Sequence, residues 1–82
     1  MQRPMAQFYL NVRDGESVYR DPEAYHFPTA QAARDTAVQS LREMLRTDDV
    51  DALSDRAIEI ADATGHPIAV VNAYDVMPVR YH

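Results

Sequence analysis

The chain contains no cysteine and no lysine, and glycine occurs only twice in its 82 residues. Without cysteine no disulfide can staple the fold, and no ligand spacing for a structural zinc site is present. Ordering one domain of this length costs on the order of 100 kcal/mol of conformational entropy. Stability must therefore come from packing, with room for a second subunit to contribute. The missing lysine leaves arginine to supply all eight positive charges against thirteen acidic residues, for a net charge of −5. That lysine deficit fits the codon usage of a GC-rich genome better than a mechanism. A negative chain lacks the clustered positive charge that phosphate binding needs, so nucleic acid is disfavoured as a partner.

Long apolar runs are also missing. No segment is long enough to cross a membrane, and Met1-Gln2-Arg3-Pro4-Met5 is not followed by the apolar stretch of a secretory signal. A cytoplasmic location is the resulting expectation. Catalytic patterns are equally sparse. His26, His66 and His82 are scattered, and no pair has helical metal-site spacing. Ser17, Ser40 and Ser54 lack a nearby His/Asp pattern. Asp48, Asp49, Asp51 and Asp55 crowd one connection, but the glycine and distal glutamate of a calcium-binding hand are absent, so a solvated loop is expected. These absences lean away from an enzyme, and neither cofactor nor metal is expected.

What is present is a succession of fold signals. Residues 7–13 alternate as a strand does, with Phe8, Leu10 and Val12 on one face and Tyr9, Asn11 and Arg13 on the other. Asp14-Gly15 then signals a hairpin, and residues 17–20 form a short polar strand. Residues 21–28, with two prolines, read as a linker that Tyr25 and Phe27 anchor. Thr29 is a candidate N-cap. Behind it Ala30, Ala33, Ala37, Val38, Leu41, Met44 and Leu45 fall within an arc of about 140° of a helical wheel. The third strand carries Ile58 and Ile60 on one face and Glu59 on the other. Asp62-Ala63-Thr64-Gly65 is a turn, and residues 68–73 are apolar on both faces, as a central strand should be.

These elements make an α+β fold of ββαββ type: a four-stranded sheet with one helix packed on one face. Putting the most apolar strands in the middle favours a β-grasp-like order 2-1-4-3 with a parallel central pair. An all-antiparallel sheet is the alternative. The domain spans 7–75, between a flexible arm at 1–6 and a tail at 76–82. One helix, about 10 Å across, cannot cover both faces of such a sheet. The uncovered face is expected to present Tyr9, Asn11, Arg13, Tyr19 and Val71, with Ala69 and Ala73, as an interaction surface. Arg34 falls inside the apolar arc of the helix. Its guanidinium must snorkel or find a carboxylate, with Asp14, Glu16, Glu59 and Asp62 as candidates. A structural ion pair is favoured over an anion contact.

Three stretches carry a family resemblance. They are Phe8-Tyr9-Leu10-Asn11-Val12-Arg13-Asp14-Gly15, then Phe27-Pro28 with Ala32-Ala33-Arg34, then Leu53-Ser54-Asp55-Arg56-Ala57-Ile58-Glu59-Ile60-Ala61-Asp62 leading into Gly65. Together they resemble a family of short alphaproteobacterial proteins, a domain of unknown function, over about residues 7–73. Members commonly have a histidine where this chain has Asn11. The resemblance implies no activity, substrate or cofactor. The function expected from the residues is a small non-enzymatic interaction module that forms a homodimer or meets another protein. The alternatives are a nucleic-acid-associated regulator using Arg13 and Arg20, and a small-ligand binder with its pocket at a subunit interface.

Overall fold

The alternation of residues 7–13 is realised as β1 (Ala6–Asp14). The computed structural model describes residues 5–47 and 55–76, with the side chain of Thr47 left aside. Phe8 and Leu10 are buried on one side of β1 and Asn11 on the other. Asp14 pairs with Ser17 across a two-residue loop. Gly15 in that loop adopts φ +61° while Glu16 does not go positive, the pattern of a type II′ turn. The short β2 (Ser17–Tyr19) follows.

The supposed linker contains a further strand, β3 (Tyr25–Phe27), so the sheet has five strands rather than four. Both β2 and β3 run antiparallel to β1, at Val12–Asp14 and Ala6–Phe8 respectively, and the register steps by two residues between them. Both return along β1, with an excursion over residues 20–24 between them. Aromatic packing holds the far half: the Phe8 and Phe27 rings are 6.1 Å apart, and Tyr25 and Phe27 6.3 Å.

Thr29 caps α1 (Ala30–Thr47) as its position suggests, its hydroxyl accepting the Ala32 amide hydrogen at 3.1 Å. Ala33, Ala37 and Leu41 recur every four residues and are fully buried against the sheet. The two alanines let the helix approach closely, and Val38 and Met44 flank the contact.

β4 (Arg56–Ala61) lies between β1 and β5 (Pro67–Asn72), and every pairing is antiparallel. This overturns the favoured 2-1-4-3 order with a parallel central pair and supports the all-antiparallel alternative. The physical reason lies in how polarity maps onto position. Ala57 to Ala61 are all buried, Glu59 included, because β4 has a neighbour on each side. β5 is more apolar but ends the sheet, with Ile68 and Val70 each 43 % exposed. The chain then turns into a one-turn helix, α2 (Ala73–Val76), which replaces the end of the expected strand and buries Ala73 beside α1. The expected arm lies mostly outside the described residues, as do the tail beyond Val76 and all of the acidic loop except Asp55.

The β4–β5 turn is closed by one carboxylate. Asp62 Oδ1 accepts the Thr64 amide (3.0 Å), the Thr64 hydroxyl (2.6 Å) and the His66 amide (3.0 Å). Gly65 completes it at φ +87°. The Thr64 hydroxyl first, then the His66 amide, hold the Asp62 carboxyl below its ordinary value of 3.8. A lowered folded pKa gives stability that is present above the unfolded value and lost as pH falls through the folded one. The stability difference between the parent and Asp62→Ala should therefore be constant near neutrality. It should shrink as pH is lowered from about 4. Urea melts at stepped pH measure it, and a difference unchanged down to pH 2 would contradict the assignment.

Candidate interaction surfaces

Cross-strand register decides which side chains share the face away from α1. Asn11 stands opposite Glu59, and Glu59 opposite Val70; Tyr9 faces Ala61, and Arg13 lies between Ala57 and Val18. Tyr9, Asn11 and Arg13 thus occupy the open face together. Tyr19 and Val71 do not. Tyr19 pairs with Val12 and Val71 with Ile58, which sets both on the helix side. Val71 is buried there and Tyr19 is exposed at the sheet margin. Ala69 and Ala73 also belong to the helix side. The apolar members of the open face are instead Val18 and Val70, with Ile68 at the bulge beside it. The residues of β5 are apolar in both phases, so alternation alone carries no signal for which set faces out.

At the centre of this face Arg13 Nη1 meets Glu59 Oε2 at 3.4 Å. The carboxylate side is nearly buried and the guanidinium is half open. A second pair, Arg56 Nη2 to Asp14 Oδ2 at 3.3 Å, spans the same two strands at their end. Asn11, 3 % exposed, turns its Oδ1 to the Asp21 amide at 2.9 Å and so satisfies the backbone where the return strand leaves the sheet. Asp21 in turn accepts the Glu23 amide at 3.0 Å. Its carboxylate, by accepting the Tyr25 hydroxyl hydrogen and by its charge, raises the Tyr25 pKa above 10.0. Beside Asn11 a cleft of about 270 Å³ opens between Tyr9, Arg20, Asp21 and the Thr64–Gly65 turn.

Arg34 is exposed, outside the apolar contact of α1. Among the described residues the clasp expected from it is not formed: Asp14 and Glu59 hold other arginines, and Asp62 holds its own turn. Arg34 instead lines a groove of about 570 Å³ between α1 and β5, with Val38, Arg42, Val70, Val71 and Val76. His26 and His66 are both exposed, and His82 lies outside the described residues. Among the described residues no three His, Asp or Glu side chains converge on a metal-sized site, and no helix is long and apolar enough to cross a membrane.

The model of a family described as a domain of unknown function, DUF6894, matches residues 7–74. The chain belongs to this family. The match runs from β1 into α2 and so takes in every strand and the helix. No curated protein and no solved structure matches the chain. Family membership therefore assigns no chemistry to the cleft, the groove or the open face, which rest on their geometry alone.

Proposed function

We propose that this protein is a non-enzymatic interaction module that pairs with a copy of itself through the open face of its sheet. The observation that carries the reading is the distribution of exposure on that face. Val18, Ile68 and Val70 are 39 %, 43 % and 43 % exposed, while the charges between them, Arg13 and Glu59, neutralise each other. A two-fold axis lets such a surface meet its own copy, apolar flanks against apolar flanks. Desolvating a pair that is already formed costs less than desolvating two separate charges. A nucleic-acid role resting on Arg13 and Arg20 is weakened by the same contact, because Arg13 is committed to Glu59.

Sedimentation at several concentrations tests the dimer. The expected result is a concentration-dependent shift in the micromolar range that Tyr9→Glu or Ile68→Glu abolishes. Each substitution puts a charge where water would be lost on pairing. Ile68→Glu should leave the melting temperature within a few degrees of the parent, since exposed sites change stability by about 0.5 kcal/mol. A monomer throughout that range would refute the reading.

The cleft beside Asn11 supports a second reading. It opens near Tyr9 on the same face, so a copy seated there would roof it and create a pocket for a small ligand between subunits. Mass spectrometry of the small molecules released on denaturing the purified protein is the test. A reproducible, stoichiometric compound supports it, and its absence from protein purified from its native host would remove it.

A further inference from the structure

The groove between α1 and β5 combines three features that the proposed self-association does not use. First, β5 ends the sheet: it pairs with β4 along one edge, and among the described residues no strand covers the other. Its six residues, Pro67–Asn72, carry no charge. Neutral edges are ordinarily blunted by charged side chains, because their free amides and carbonyls invite another strand. Here only Pro67 and the bulge at Ile60/Ala61 protect one end.

Second, the helix lines the groove with two adjacent stripes, Asp35 with Gln39 and, beside them, a stripe that carries both arginines. Arg34, Val38 and Arg42 stand four residues apart, which places them one above another. Val71 and Val76 line the apolar side of the groove. Third, both guanidinia are exposed and make no ion pair among the described residues. The carboxylates that border the groove are engaged by neutral amides: Asp35 by Gln31 at 2.9 Å and Asp75 by Asn72 at 3.4 Å.

Spacing then selects the occupant. The two arginines stand eight positions apart on the helix, about 12 Å at 1.5 Å per residue. An extended chain covers that distance in about four residues at 3.3 Å each, and residues four apart in a strand point the same way, as does the one midway. We propose that an extended segment of a partner protein, with the pattern acidic–x–apolar–x–acidic, docks here as a sixth strand. Its backbone pairs with β5, its two carboxylates meet Arg34 and Arg42, and its central apolar side chain rests on Val38. A second copy of β5 is a poorer occupant, because an uncharged strand leaves both arginines unanswered.

Two labelled synthetic peptides of ten residues test this. One carries two glutamates four residues apart with a valine midway on a threonine background. The other has lysines in place of the glutamates. Anisotropy titrations should show the glutamate peptide binding at least tenfold more tightly, with affinity falling as salt rises. The double variant Arg34→Glu with Arg42→Glu should reverse the preference, and the amide resonances of β5 should shift on binding. Tyr9→Glu, which addresses the dimer from β1 with β4 between it and β5, should leave the selectivity between peptides intact. Equal binding of both peptides, no binding of either at millimolar concentration, or indifference to the double variant would each overturn the proposal. So would a change in the sedimentation of the peptide-free double variant, which would place a second copy in the groove.

Discussion

Replacing Ile60 with alanine should lower the unfolding free energy by roughly 2–5 kcal/mol. Ile60 is fully buried in the central strand and, with Leu41 across from it on the helix, is one of the two largest side chains sealed completely from water. The surrounding wall consists of a helix backbone held close by Ala33 and Ala37 and of strands bonded on both sides. Such a wall collapses poorly into a vacated space, which puts the loss toward the upper part of the range. Domains of this size are stable by about 5–15 kcal/mol, so one substitution removes a large fraction of the total. Urea melts should show a lower midpoint with an unchanged slope. Ile68→Ala is the matched control. Its parent side chain is 43 % exposed at the sheet edge, so the expected loss is below about 1 kcal/mol. Equal losses at the two positions would contradict the placement of β4 inside and β5 outside.

Asn11→Ala should cost about 1–3 kcal/mol, the price of an amide left without a partner. Asn11 is buried on the face that lacks a helix, and its side-chain oxygen takes the Asp21 hydrogen at the point where the return strand departs from β1. Removing it should loosen β3 as well as lower global stability, because residues 20–24 join β3 to β2. Hydrogen exchange separates the two effects: the Asp21 amide should lose protection before the amides of β4 do. An Asp21 amide that exchanges as slowly in Asn11→Ala as in the parent would show that the bond contributes nothing.

Local chemistry made much of this fold legible. Gly15 and Gly65 take the positive φ values that their turns require, and Thr29 caps the helix it precedes. The alternation in β1 assigns Phe8, Leu10 and Asn11 to their faces without ambiguity. Three features were hidden for physical reasons. β3 is three residues long and flanked by Pro22 and Pro28; its evidence is pairing with a distant strand, which no local pattern records. The ranks of β4 and β5 invert the usual relation between apolarity and centrality. Glu59 makes β4 look like an edge, yet its carboxylate is accommodated by Arg13 from the neighbouring strand. The phase of β5 was undetermined because Ile68 to Val71 are apolar in both registers. That ambiguity decided the surface: Val71 lies under the helix and Val70 outside it. Arg34 was conspicuous on the helical wheel, but its meaning depends on the groove that α1 forms with β5, a property of the assembled sheet.

The pairing of β1 has a consequence for the order of assembly. Its partner on one edge, β2, ends five residues further along the chain, whereas Tyr9 and Ala61 meet across 52 residues on the other. The first edge can close by local search; the second must wait until α1 has shortened the intervening chain, because loop closure is costly until other contacts reward it. During synthesis the β1–β2–β3 ribbon leaves the ribosome well before β4 exists. For that interval the side of β1 destined for β4 is an open edge, and its Phe8, Leu10 and Val12 lack the second half of their core. The helix arrives between the two events in sequence. Its apolar stripe can shelter those side chains first and leave the hydrogen-bonding edge free for the strand that comes last.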